Sequence, residues 1–242
     1  MIPKIIHYCW FGKHKKPKSV KRKIESWKRY CPGYKIIEWN EENFDINYCD
    51  YVKEAYHAGK WAFVTDVVRL YVLVHYGGIY MDADVEVIKP LDKFLIYSAF
   101  SGFQSVDSIP TGLIACEKNH EFFLELLHDY DKKHFIKKDG SYDITTNCEQ
   151  ITQICLKYGL RLDNTKQTIR GITLFPMDYF CAKDAVTGII WKTENTYTIH
   201  HFAGSWTSRK NKLATWLHRL LIRMFGRKKA DIIRKRINPD MK

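Results

Sequence analysis

Two carboxylates stand two residues apart in the stretch YGGIYMDADVEVIKPL (Tyr76–Leu91), where Asp82 and Asp84 interrupt an apolar run. Such a pair offers oxygen ligands to a hard divalent ion such as Mg²⁺ or Mn²⁺, which shares its shell with substrate phosphates. The pattern alone is weak. With 16 aspartates in 242 residues, Asp-x-Asp arises by chance about once, and a second copy, Asp129-Tyr-Asp131, falls in an ordinary helical segment. The first copy differs in its setting. It ends what reads as a central strand, and in open α/β sheets ligands collect beyond the carboxyl ends of strands. In extended chain both carboxylates face one side, where without a cation they repel and are poorly solvated.

Upstream, WAFVTDVVRLYVLVHYGG places Asp66 and Arg69 at i, i+3 on one face of a helix that is apolar nearly all round. An ordinary helix ion pair and a functional pair both fit. Near the other end, TIHHFAGSW (Thr198–Trp206) carries two histidines at the end of a strand, and their side chains must point to opposite faces. One of them, beside two aspartates, would complete a shell for Mn²⁺; a satisfied core histidine is the alternative.

The elements that must position these groups alternate. IIHYCWF ends at Gly12 and reads as a buried strand; SVKRKIESWKRYCPG reads as a helix capped by Ser19; YKIIEWN is a second strand. Helical segments follow near Tyr48–Ala58 and from Trp61 to His75, the latter closed by Gly77-Gly78. AFSGF, TGLIACE, ITLFP and TYTIHHF read as further strands, and HEFFLELLHDYDKKHF and CEQITQICLKYG as helices. The alternation predicts an α/β fold with a mixed, mostly parallel central sheet flanked by helices. The expected organisation is a catalytic-size domain over 1–208 and a basic amphipathic helical tail over 209–242.

Composition narrows the class. The chain is 45% hydrophobic and 14% aromatic, enough for a full core. Lys4, His7 and Gly12 interrupt the first apolar segment, so no signal peptide is expected. No uncharged apolar run reaches the roughly 18 residues of a membrane span. Seven scattered cysteines without a C-x-x-C read as reduced thiols of a cytosolic protein. The net charge of +12 is concentrated: residues 209–242 hold 12 Lys+Arg against 2 Asp+Glu. Leu213, Trp216, Leu217, Leu220, Leu221, Met224 and Phe225 form a helical stripe there. The tail is expected either to pack on the domain or, through 209–229, to lie on an anionic membrane, with a second basic cluster at Lys13–Lys23. No nucleic-acid motif accompanies the charge.

IPKIIHYCWFG, SWKRYCPGYKIIEWNEENFD, AFVTDVVRLYVLVHYGGIYMDADVEVIKPLD and IHHFAGSW, in that order, resemble glycosyltransferase family 32. The resemblance is strong over about residues 2–92, moderate at 196–206 and weak between 105 and 195. It implies a GT-A fold, a nucleotide-sugar donor with UDP-hexose favoured, Mn²⁺ or Mg²⁺, retention of anomeric configuration, and a glycan or lipid-linked glycan acceptor in surface or capsular polysaccharide synthesis at the inner face of the cell membrane. Carried onto this chain, Trp10 would stack on the base. Asp66 and Arg69 would bind sugar hydroxyls and diphosphate, and Tyr80 would line the same pocket. Asp82 would hold ribose and metal and Asp84 the metal. His201 would be the late metal ligand with Ser205 its competitor, and Trp206 would hydrogen-bond the leaving oxygen. A nucleotide-sugar hydrolase, or a membrane- or polyanion-binding module on a degenerate GT-A core, are the alternatives.

Overall fold

The computed structural model describes residues 1–105, 107–109, 112–204, 209–226 and 229. The chain runs through β1 (Ile5–Cys9), α1 (Lys18–Tyr30), β2 (Lys35–Trp39), α2 (Asp50–His57), α3 (Trp61–Tyr76), β3 (Gly78–Met81), β4 (Val85–Val87), β5 (Ala99–Gly102) and β6 (Leu113–Cys116). It continues through α4 (Glu121–His128), α5 (Asn147–Lys157), β7 (Gln167–Ile169), β8 (Ile172–Phe175), the short α6 (Met177–Phe180), β9 (Thr198–His200) and α7 (Arg209–Phe225).

Seven strands form one sheet in the order β2-β1-β3-β6-β5-β8-β7. Pairing is parallel at β1–β2, β1–β3 and β5–β8 and antiparallel at β3–β6, β5–β6 and β7–β8. Five strands therefore point one way and β6 and β7 run against them. This is the expected mixed, mostly parallel sheet flanked by helices. Alternate strand residues part to opposite faces. Cys9, Tyr80, Ile114 and Cys116 meet the apolar sides of α2, α3, α4 and α5, while Tyr8, Ile79, Met81 and Leu113 meet Trp27 of α1, β4 and Phe180 of α6. Burial between two layers explains why α3 is apolar nearly all round.

Two local expectations are corrected. Pro17, not Ser19, occupies the N-cap position of α1, and no side chain caps that end. Asp82 and Asp84 are not in extended chain: residues 82–84 turn, with the Val85 N–H donating to Asp82 O at 2.9 Å. The turn carries the backbone out of the main sheet into a two-stranded ladder of β4 and β9, in which Val85 opposes His200.

The Gly77-Gly78 pair fixes where β3 begins. Both residues have positive φ (64° and 107°), and a Cβ on Gly78 would sit 2.7 Å from Ile5 O, so only glycine fits. The carbonyl of Gly77 accepts from His7 Nε2 at 2.9 Å, and His7 Nδ1 accepts from Trp39 Nε1 at 3.0 Å. An indole N–H only donates, so His7 is neutral with its proton on Nε2. Burial, partly offset by the Gly77 hydrogen bond, pushes His7 down from 6.5 to about 4. Between these two values the unfolded chain binds the extra proton. Stability linked to His7 is therefore complete above pH 6.5 and is lost as pH falls towards 4, by on the order of 3 kcal/mol at most. His7→Gln is expected to flatten the decline in Tm between pH 7 and pH 5; an unchanged decline would show that His7 is not a source of it.

Candidate functional site

A cleft of about 500 Å³ opens beyond the carboxyl ends of β1 and β3. Its floor is an ion-pair chain. Arg69, from the middle of α3, places Nη2 3.3 Å from Asp66 Oδ1 and 3.4 Å from Asp82 Oδ1. The guanidinium carbon lies 4.8 Å from the centre of the Tyr80 ring, and Tyr80 donates its hydroxyl to Asp82 Oδ1 at 3.0 Å. Asp66 and Arg69 are 7% and 6% exposed, so helical spacing has here produced a buried pair. Burial pushes the Asp66 carboxyl up to about 6, with Arg69 opposing the rise. Burial alone would lower Arg69, but the field of Tyr80, Asp82 and Asp66 raises it, and the guanidinium stays charged.

Asp66 is fixed from across the fold. Asn147, first residue of α5, donates from Nδ2 to Asp66 O at 2.6 Å and from its backbone N–H to Asp66 Oδ2 at 3.5 Å. Tyr130 donates to Asn147 Oδ1 at 2.7 Å. None of this was readable from sequence; a Thr146–Glu149 cap marks the start of α5 but not what it faces.

At the other side of the turn, Asp84 Oδ1 lies 3.2 Å from His200 Nε2, and Asp84 Oδ2 accepts from the Ala203 N–H at 2.6 Å. Asp82 Oδ2 is 3.7 Å from the same imidazole nitrogen. Burial alone would raise Asp84; the hydrogen bond and charge of His200 and the Ala203 N–H instead hold it down at about 2. Burial alone would lower His200, yet the two carboxylates push it up to about 10. The His200 ring packs on Phe202 with centroids 4.1 Å apart, and Phe202 adopts the left-handed backbone region at φ 51°, a strained state for an aromatic residue. Gly112 leaves room for the ring: a Cβ there would stand 2.6 Å from His200 Nδ1.

His201 turns its side chain to Glu86. Its Nε2 lies 2.7 Å from Glu86 Oε2, which also pairs with Lys23 Nζ at 2.8 Å, and its carbonyl accepts from Lys183 Nζ at 2.8 Å. β9 ends at His200, which lies opposite Val85 and meets the aspartates. Trp10 lines the cleft and donates from Nε1 to His14 O at 2.6 Å. Ser205 and Trp206 lie outside the described residues; Gly204, just before them, lines the cleft. The second Asp-x-Asp lies in a 3₁₀ turn, where Asp129 accepts from Gln150.

Among the described residues, Asp82, Asp84 and His200 are the group able to hold a metal ion, with ligand atoms within 4.8 Å of one another. Two carboxylates and an imidazole fit Mn²⁺, and the oxygen pair fits Mg²⁺.

Residues 17–101 match the family model described as a glycosyltransferase sugar-binding region containing a DXD motif. A mannosyl phosphorylinositol ceramide synthase of Saccharomyces cerevisiae is 30% identical over 154 residues, 56% of this chain and 37% of that protein. Inositol phosphoceramide mannosyltransferase 3 of Schizosaccharomyces pombe is 29% identical over 149 residues, 55% of this chain and 38% of that protein. An uncharacterized glycosyltransferase of Acanthamoeba polyphaga mimivirus is 28% identical over 162 residues, 61% of each chain. The chain thus spans less than two fifths of either yeast relative. The matched DXD region runs from α1 into β5 and contains both aspartates of the turn, so the likeness to glycosyltransferases rests on the part of the chain that builds the cleft.

Proposed function

We propose that the cleft transfers a hexosyl group from a nucleotide-sugar to a glycan or lipid-linked glycan acceptor. The observation that carries this reading is the convergence of Asp82, Asp84 and His200 on one point beside the buried Arg69. Asp84 and His200 would hold a divalent ion, with Asp82 shared between ion and ribose, and such an ion would supply positive charge for a diphosphate leaving group. Arg69 supplies a second, permanently charged group to the same phosphates. Asp66, held by Asn147, accepts hydrogen bonds from sugar hydroxyls, and Tyr80 keeps Arg69 and Asp82 in register. Trp10 offers an indole face to the base. Trp206 and Ser205 enter on the resemblance alone, as donors to the leaving oxygen and to the ion.

The carboxylates that line the cleft are each engaged: Asp66 with Arg69, Asp82 with Tyr80 and Arg69, Asp84 with His200 and Ala203. That leaves no free carboxylate nucleophile among the described residues of the cleft. With retention taken from the resemblance, this favours attack of the acceptor hydroxyl on the face from which the diphosphate departs over a covalent glycosyl-enzyme. The yeast relatives are named for mannosyl transfer to inositol phosphoceramide, so a nucleotide-linked mannose joins UDP-hexose as donor candidate. A lipid-borne acceptor is consistent with work at the inner face of the cell membrane.

Nucleotide release from a panel of UDP- and GDP-linked hexoses is expected with Mn²⁺ or Mg²⁺ from one donor, to vanish with EDTA, and to fall at least about a hundredfold in Asp84→Asn. Metal-independent release, or full release from the variant, would contradict the reading. Separately, His200→Asn is expected to weaken Mn²⁺ binding at least about tenfold by calorimetry, and His201→Asn to leave it within a few-fold. The opposite ranking would return the ligand role to His201.

A further inference from the structure

α7 meets the rest of the protein through one side. His218 and Ile222 are buried, Arg219 donates from Nη2 to Ala185 O at 2.8 Å, and Gly188 lies against the Arg219 side chain. At about 100° per residue, that side is opposite the stripe formed by Leu213, Trp216, Leu217, Leu220 and Met224. These five residues are 40–63% exposed. An amphipathic helix that serves only the fold turns its apolar stripe inward; among the described residues, this one turns it outward. Following Gly188, which packs on Arg219, Ile189, Ile190 and Trp191 are also 40%, 41% and 47% exposed. Arg223 and Lys192 are exposed.

We propose that this face docks on the surface of an anionic lipid bilayer, with α7 lying in the headgroup plane. Charge selects that occupant. Residues 209–242 carry 12 Lys+Arg against 2 Asp+Glu, so a second copy would bring like charges together, whereas anionic headgroups attract them. Trp216, Met224 and Leu220 supply the apolar contact of an interfacial helix. No helix among the described residues is long and apolar enough to cross a membrane, so α7 rests on the bilayer. Lys16 and Lys23 of the other basic cluster are engaged by Glu38 and Glu86, while Lys13, Lys15, Lys18, Lys21 and Arg22 of that cluster are exposed. The docking surface needs no catalytic assumption; its use in presenting a lipid-linked acceptor rests on the transfer reading above.

The test is co-sedimentation of the full chain with phosphatidylcholine vesicles and with vesicles also containing phosphatidylglycerol. The chain is expected to bind the anionic vesicles, less so as salt rises. In the double variant Trp216→Ser, Leu220→Ser the partition should weaken at least about tenfold, with Tm and vesicle-free nucleotide release unchanged. No binding of the wild type, binding indifferent to salt and to the double variant, or a dimer in light scattering that the variant dissolves would each overturn the proposal. Vesicle binding without nucleotide release would sustain the docking surface while removing the transfer reading.

Discussion

The structure depends on how negative charge is compensated at the end of β3. Asp82 and Asp84 are held together by a turn, partly out of water, where two carboxylates cannot remain side by side unanswered. One answer is Arg69, locked by helical geometry between Asp66 and Asp82. The other is His200, carried in by a ladder of three residue pairs between β4 and β9. The two cationic groups reach the same turn from distant parts of the sequence. A divalent ion fits into this scheme as a replacement for the His200 proton: the imidazole that the carboxylates keep charged is also the one able to ligate.

Much of the surrounding architecture follows from bringing these groups together. α3 must be buried on nearly all sides to hold Arg69 in a low-dielectric setting. The Gly77-Gly78 turn lets β3 start close enough to β1 for its carboxyl end to reach the cleft. Gly112 removes a side chain where His200 must lie, and Phe202 accepts a left-handed backbone so that the Ala203 N–H can reach Asp84. Strain of this kind persists where neighbouring contacts over-determine it. Here those contacts are the Phe202–His200 packing and the Ala203–Asp84 hydrogen bond.

The sequence made part of this legible. α3 was readable from its 3.6-residue period and its glycine stop, and with it the juxtaposition of Asp66 and Arg69. The α/β alternation gave the layered sheet, and the position after an apolar strand singled out Asp82 and Asp84 from the second Asp-x-Asp. Their convergence has another cause than the extended chain that the alternation implies: residues 82–84 form a turn. His200 and His201 could not be separated, because which one faces inward depends on the register of β9 against β4, a pairing between segments more than a hundred residues apart. Asn147 and Tyr130 gave no signal for the same reason, since Asn147 meets Asp66 across 81 residues of sequence. For α7 the amphipathic period was plain, but the direction in which its stripe faces is a tertiary fact.

The most direct measurement of the central claim is anomalous scattering at the manganese edge from crystals of the protein grown with Mn²⁺. The account predicts one ordered peak between the turn and β9, with Asp84 and His200 Nε2 as protein ligands and Arg69 across the cleft. A peak ligated by His201, or no ordered ion between Asp84 and His200, would contradict it.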